Sequence, residues 1–198
     1  NLSSVITTQY VGELLDEVLK ENEFLCTQIV EKYGNSSLTV VKLVLCSLLD
    51  EEVSIRNLIP ILETISNEPK YERAKLQALV NKVRCAIIPD VIDSINENNN
   101  DIKVLFFSQK LSDHMFDNLT ETGEIVFEPV TRKLFSNELS LKISEMIDQG
   151  FSPVVLCVEP LRYSVEILLA SLGISNIHVL SDMEMTAAIR KMNISLQV

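Results

Sequence analysis

Apolar residues in the first half of the chain recur with the period of an α-helix. The first stripe belongs to a helix that Thr7 or Thr8 can cap. Its positions follow the i, i+3, i+4, i+7, i+8 spacing of a one-sided helix: Val11, Leu14, Leu15, Val18 and Leu19. Similar stripes predict four more helices: about Phe24 to Tyr33 before Gly34, Leu38 to Leu49 after Ser36 or Ser37, Leu58 to Ile65 after Asn57, and Leu76 to Ile87. The first half is therefore expected to be entirely helical.

Two prolines refine this reading. Pro60 falls in the first turn of the fourth helix, where a missing N–H group costs nothing. Pro89 should break or kink the fifth helix before a short extension to about Glu97.

The pattern changes at the polar run from Asn96 to Asp101, which predicts a linker at residues 98–101. Beyond it, short β-branched runs predict buried strands: Ile102 to Phe107, Pro153 to Val158, Ile177 to Leu180 and, more weakly, Glu124 to Phe127. Helical patterns alternate with them: Gln109 to Leu119, Ser136 to Gln149, Leu161 to Leu172 and Asp182 to Lys191. Such alternation favours parallel strands joined by helices. We predict a multi-domain α plus α/β protein, with a helical subdomain at 1–97 and a small, mainly parallel α/β subdomain at 102–198.

The charge and composition of the chain limit the kinds of partner that it can bind. The formal net charge is −11, and both halves carry the excess of carboxylates. Binding to nucleic acid or to an anionic membrane surface requires clustered Lys and Arg, so we expect neither. A hydrophobic content of 46% is that of a chain that folds around a core.

The cysteines indicate a reducing compartment. Cys26, Cys46, Cys85 and Cys157 lie far apart and form no C-x-x-C pair, so we expect buried, reduced thiols rather than zinc ligands or disulfides. The chain contains no apolar run of membrane-spanning length and no signal peptide. Because it begins at Asn1 rather than Met, we expect it to be a fragment of a longer cytoplasmic or membrane-anchored protein.

Candidate chemistry is sparse. The five glycines cannot form a phosphate-binding loop of either common type, and neither His114 nor His178 has metal-ligand spacing. Asp113 and Asp117 beside His114 permit a general base with an orienting carboxylate, but a polar helix face is the simpler interpretation. We therefore predict no catalytic residue, no cofactor-binding residue and no metal ligand.

The segment from Leu48 to Glu63 carries the most specific pattern. It reads Leu-Leu-Asp-Glu-Glu-Val-Ser-Ile-Arg-Asn-Leu-Ile-Pro-Ile-Leu-Glu. This resembles the type III export gate family, the flagellar FlhA and injectisome SctV proteins, with Asn57 in place of an aspartate. Further matches follow in family order: Val11 to Leu19, Leu79 with Val83-Arg84 and Ala86-Ile87, Pro153 to Cys157, Leu161-Arg162, and Val179 to Ser181. Pro89-Asp90 departs from the family by replacing a basic residue.

The resemblance implies a non-enzymatic part of a protein export apparatus. The chain would be the last two parts of a four-part cytoplasmic domain, at the cytoplasmic face of the bacterial inner membrane, with apolar spans upstream of Asn1. Its helical part would form a ring with other copies of itself, a nonamer in the family. Its partners would be export substrates, their chaperones and other export apparatus proteins.

Within this family reading, the turn around Arg56 is the expected interface. A ring needs one face of each subunit to meet a different face of the next. The candidates are Asp50, Glu51, Glu52, Ser54, Arg56 and Asn57. Arg56 can bind a carboxylate of a neighbouring copy with two parallel hydrogen bonds. It can equally cap the preceding helix or pair with Asp50 to Glu52 in its own chain.

A rival hypothesis places function in the α/β half, as a helical adaptor with a small-ligand or enzymatic domain. Open sheets bind ligands beyond the carboxyl ends of their strands. Ser108, Glu159 and Ser181 would lie there. These three residues include no pair of nucleophile and general base. If the rival hypothesis holds, a small molecule should raise the melting temperature of the protein.

Overall fold

The structure is a computed structural model that describes residues 6–69, 76–95, 101–175, 177–192 and 195–197. The chain divides into two compact units, Asn1–Ser94 and Ile95–Val198. The predicted linker residues 98–100 lie outside the described residues. The bounds 1–97 and 102–198 stay a prediction, whereas the order of a helical part followed by a small parallel α/β part is confirmed.

The first unit is built from helices. The described residues up to 95 contain α1 Thr8–Glu21, α2 Glu23–Tyr33, α3 Ser37–Asp50, α4 Leu58–Asn67, α5 Leu76–Ala86 and α6 Ile88–Ile95. A 3-10 turn at Gly34–Ser36 joins α2 to α3. The break expected near Pro89 falls just before it, at Ile87, because Pro89 itself is tolerated in the first turn of α6.

The core of this unit lies around α3. Val44, Leu45 and Leu48 are completely buried, and Ile61 and Leu62 of α4 are buried as well. These are the positions at which the helical period places an apolar face. Burial of such side chains stabilises the unit by about 1.5–3 kcal/mol each.

The predicted cap residues lie at the starts of their helices, but only some of them make the capping hydrogen bond. Thr7 Oγ1 accepts a hydrogen bond from Tyr10 N at 3.1 Å, as a cap should. Ser36 and Asn57 also precede their helices, but neither side chain makes the capping bond. Ser36 has helical backbone angles because it already belongs to the 3-10 turn, so its side chain cannot act as an ordinary cap.

The amino group of Lys32 closes the end of α4. Lys32 Nζ donates to the carbonyl oxygens of Ile65 and Ser66, both at 2.9 Å, and also to that of Glu68. The last carbonyls of a helix have no partner within the helix, so this cation satisfies them and also interacts favourably with the helix dipole.

Replacing Lys32 by methionine should therefore lower the free energy of unfolding by about 1–3 kcal/mol, because partly buried carbonyls lose a charged donor. Urea unfolding followed by circular dichroism measures the change. Lys20→Met is the matched control, since Lys20 is exposed on α1. Equal midpoints for the two variants would refute the role of Lys32.

The second unit is a small parallel α/β fold. Its strands are β1 Asp101–Lys103, β2 Leu105–Phe106, β3 Val154–Cys157, β4 His178–Ser181 and β5 Ser195–Gln197. Its helices are α7 Gln109–Asp117, α8 Pro129–Asp148, α9 Arg162–Ser171 and α10 Asp182–Met192, with a 3-10 turn at Glu159–Leu161. Strands β2, β3 and β4 form one sheet in that order, and β1 pairs with β5.

All described strand pairs are parallel. Phe106 lies opposite Leu156 in the β2–β3 pair, and Leu156 lies opposite Leu180 in the β3–β4 pair. In the other pair, Ile102 lies opposite Leu196. The connections from β2 to β3 and from β3 to β4 are helical, as parallel neighbours require.

Three sequence predictions in this unit need correction. The single strand expected from Ile102 to Phe107 is divided at Val104, because its two halves pair with different strands. The weak strand from Glu124 to Phe127 is a tight loop held by one bridge between Leu119 and Ile125. Helix α8 begins at Pro129 rather than Ser136.

The start of α8 is predicted too late for a reason that the structure shows. Its residues Val130, Leu134 and Leu141 are apolar yet exposed, so the helix has no single apolar stripe for the period to reveal. Pro129 at the first helical position was the available signal.

Candidate functional site at the turn between α3 and α4

The backbone of the turn ends α3 in a defined way. Val53 N donates to Leu48 O at 2.9 Å, and Glu52 N donates to Leu49 O at 3.1 Å. These two bonds form a Schellman motif, and the buried Val53 supplies the apolar contact that accompanies it. Glu52 takes the left-handed position of the motif, with φ of 59°, which is usually held by glycine. The motif therefore fixes the direction in which residues 54–57 leave the helix.

A buried ion pair anchors the same turn. Glu51 Oε2 lies 2.5 Å from Arg84 Nη1 of α5, and the two side chains are only 7% and 4% exposed. Charges removed from water in this way are costly unless they are paired. The pair therefore ties the end of α3 to α5 and holds the acidic turn in place.

The residues predicted as an interface separate into two groups. Asp50, Glu52, Arg56 and Asn57 are exposed, whereas the carboxylate of Glu51 is occupied by Arg84. Ser54 is half-buried, and its hydroxyl accepts a long hydrogen bond of 3.4 Å from the backbone N–H of Arg56.

The guanidinium of Arg56 is available at the surface. No carboxylate among the described residues forms an ion pair with it, so the alternative in which it pairs with residues 50–52 of its own chain is not observed. Arg84 takes that place. Sequence reasoning did not identify Arg84 as part of the turn, although its position one turn from Val80 and Ile87 on the buried side of α5 was a signal that it is enclosed.

The residues of the rival ligand site serve as local caps. Ser108 Oγ accepts a hydrogen bond from Leu111 N at 3.3 Å at the start of α7. Ser181 and Glu184 form a reciprocal capping box, in which Ser181 N donates to Glu184 Oε2 at 2.8 Å and Glu184 N donates to Ser181 Oγ at 3.1 Å. The backbone N–H of Glu159 donates to Asp182 Oδ1 at 2.8 Å. These groups hold the ends of strands and helices together.

The surroundings of His114 and Cys157 bear on the chemistry that each side chain could perform. The His114 ring stacks on Phe127 with a centroid separation of 5.3 Å, and its described polar neighbour is the side-chain amide of Asn118 rather than a carboxylate. Burial raises the pKa of the Cys157 thiol to about 12, so the thiolate form is absent at neutral pH. None of the four cysteines, all of which the structure describes, forms a disulfide; Cys26 and Cys157 are buried as predicted, but Cys46 and Cys85 are only half-buried.

Comparison with known proteins settles the family. Residues 1–190 match the sequence model of the FHIPEP family. The chain belongs to the FHIPEP family. This match includes both units, so it confirms the family resemblance inferred from the segment around Arg56.

Curated relatives are named as FlhA, the flagellar protein that the sequence analysis found this chain to resemble. The "Flagellar biosynthesis protein FlhA" of Borreliella burgdorferi is 26% identical over 189 residues, which cover 94% of this chain and 26% of that protein. The chain thus spans about a quarter of the length of the curated relatives it matches.

Two solved structures share the fold of this chain. The nonameric EPEC SctV-C structure is similar to this chain with a TM-score of 0.80 and 20% identity, over 100% of this chain and 57% of that one. The Chlamydia pneumoniae CdsV and CdsO complex gives a TM-score of 0.77 and 17% identity, over 100% of this chain and 56% of that one. Among the described residues of this FHIPEP chain, none of the helices has both the length and the apolarity needed to cross a bilayer.

Proposed function

We propose that this chain is the C-terminal cytoplasmic part of the export gate of a bacterial type III protein export system. It would act without chemistry of its own, at the cytoplasmic face of the inner membrane. The observation that carries the proposal is the FHIPEP match over residues 1–190, which includes the exposed Arg56 and its anchored turn. At the carboxyl ends of the strands, the backbone N–H groups of Glu159 and Ser181 are hydrogen-bonded to Asp182 and Glu184. These bonds favour the export-gate proposal over a ligand-binding site there.

In this proposal the helical unit forms a ring with other copies of the chain. The name of the similar SctV-C structure supports a nonamer. A ring contact is heterologous, so a charged residue at the interface needs a partner on a different face of the neighbouring copy. Arg56 is suited to this role because it is exposed and lacks an ion-pair partner among the described residues. A chain with net charge −11 presents many carboxylates that can receive it.

The different exposure of the predicted interface residues supports a division of roles among them. We assign contact with the neighbouring copy to Asp50, Glu52, Arg56 and Asn57, which are exposed. We assign Glu51 to positioning, because its carboxylate is paired with Arg84 inside the unit. Ser54 supports the backbone before Arg56.

We further propose that the assembled ring receives export substrates, their chaperones and other proteins of the export apparatus. The similar CdsV protein was solved in complex with CdsO, which supports binding of a second apparatus protein by a chain of this fold. The acidic surface favours partners that carry basic patches, since complementary charge speeds and orients association.

Reversing the charge of Arg56 should disrupt the ring. In the complete cytoplasmic portion of the protein, Arg56→Glu places a carboxylate against a carboxylate, and we expect the oligomer to dissociate at concentrations at least about tenfold higher than for wild type. Mass photometry or native mass spectrometry gives the oligomeric state. Arg190→Glu on α10 is the matched control, because Arg190 is also exposed.

A ring that forms equally well with glutamate at position 56 would remove Arg56 from the interface. Loss of assembly in both variants would point to net charge rather than to this turn.

A further inference from the structure

A groove runs along the outer strand of the three-stranded sheet in the second unit. Its volume is about 920 Å³, and strand β2 together with α7 and α8 forms its walls. The apolar part of the lining is aromatic and aliphatic: Leu105, Phe106, Phe107, Leu111, Phe135 and Leu139. At its base the rings of Phe107 and Phe135 pack edge to face, with their centroids 6.0 Å apart. None of the predicted interface residues lines this groove.

Strand β2 has an open side toward solvent. It is the outer strand of its sheet, and among the described residues it pairs with β3 alone. The pairing of Phe106 with Leu156, in which Phe107 N donates to Leu156 O, directs the N–H and C=O groups of Phe106 away from β3. The Phe106 side chain is itself 57% exposed. An edge strand with unpaired backbone groups is a template for another strand.

The charged side chains that line the groove indicate which kind of peptide it can bind. The lining contains three carboxylates, those of Asp113, Asp117 and Glu138. It contains two amines, those of Lys110 and Lys142, and Lys142 Nζ already pairs with Glu145 Oε2 at 2.8 Å. The uncompensated charge of the lining is therefore negative, and the whole chain is acidic. A segment with Lys or Arg beside its apolar side chains complements this surface.

We infer that this groove binds an extended, basic and apolar peptide segment of another protein, which adds as a strand to the outer side of β2. The backbone groups of Phe106 provide the main-chain pairing, and the aromatic base takes alternate side chains of the peptide. The carboxylates of α7 and α8 pair with its Lys or Arg residues. The binding needs no ring, because every residue of the groove lies in the second unit. It therefore goes beyond the proposed function.

The test uses the 198-residue chain and a blocked octapeptide of alternating leucine and lysine. Titration followed by amide chemical shifts should move the signals of Phe106, Phe107 and Lys110, with a dissociation constant of about 10⁻⁴ M. Phe106→Ser should raise that constant at least about tenfold, because the edge loses its main apolar contact. Val130→Ser is the matched control, since Val130 is 70% exposed on α8 but does not line the groove.

Two altered peptides test the binding mode. A peptide with glutamate in place of lysine should not bind, and one with N-methylation of its central amides should bind at least about tenfold more weakly, because it cannot pair as a strand. Equal binding of either peptide, unchanged affinity of Phe106→Ser, or no shift change at about 1 mM peptide would each overturn the inference. The peptide assay and the ring assay are separate, so failure of one leaves the other proposal standing.

Discussion

Replacing Glu51 by alanine is expected to lower the free energy of unfolding by about 3–5 kcal/mol, because the buried guanidinium of Arg84 then loses the carboxylate that compensates its charge. Both side chains are almost fully enclosed, and the oxygen to nitrogen distance is 2.5 Å. Urea unfolding followed by circular dichroism measures the loss.

An exposed ion pair of the same unit provides the control. Lys82 and Glu68 are also paired, but the lysine side chain is 52% exposed and the glutamate 26%. Lys82→Ala should therefore cost at most about 1 kcal/mol, the usual value of a surface pair. Glu51→Leu combined with Arg84→Leu should regain much of the loss, since an apolar pair removes both buried charges. If Glu51→Ala and Lys82→Ala have the same effect, the buried pair does not anchor the turn.

The functional consequence of that anchor can be separated from its effect on stability. Glu51→Ala frees the end of α3 and with it the backbone that presents Arg56. At a temperature where the variant is still folded, we expect weaker ring assembly than for wild type, although Glu51 makes no contact with the neighbouring copy in our proposal. Assembly at wild-type strength in the folded variant would restrict Glu51 to a role in stability.

Raising the pH from 9 to 12 is expected to remove about 3 kcal/mol of stability through the single thiol of Cys157, because the slope approaches about 1.4 kcal/mol per pH unit between the two pKa values and is halved at each of them. Desolvation raises the pKa of this thiol to about 12 in the folded protein, whereas in the unfolded chain it ionises near 9. Between these values the unfolded state has released the proton and the folded state has kept it. Rising pH therefore favours unfolding in this window, and below pH 9 the contribution is fully present.

The measurement compares wild type with Cys157→Ala at each pH, because lysines and tyrosines also titrate in this range. The difference between the two unfolding free energies should shrink as the pH rises, even though the alanine variant starts from a lower value owing to its cavity. Cys46→Ala serves as a control: Cys46 is only half-buried, and Lys42 opposes the rise of its pKa. A constant difference between wild type and Cys157→Ala would contradict an enclosed thiol.

Much of the fold was readable from periodicity. The apolar faces of the helices in the first unit make them visible in the sequence, and β3 and β4 are visible because they are short apolar runs that are largely buried. The failures share a cause as well. Helix α8 has apolar residues on exposed faces, and the run from Ile102 to Phe107 serves two different sheets, so neither pattern could reveal its true limits. Strand β5 is missing from the sequence predictions, because a strand of three residues is too short to show an alternating or apolar pattern.

By itself, the sequence determined the helical first half, the parallel second half, the family, and the turn that carries Arg56. These follow from local spacing and from one contiguous motif. Only the tertiary structure decided that Glu51 is an anchor rather than a free surface charge, because its partner Arg84 lies 33 residues away on another helix. The groove beside Phe106 arises in the same way, since β2, α7 and α8 form it together. Contacts between distant segments depend on how elements pack, and no local pattern of apolar and polar residues encodes them.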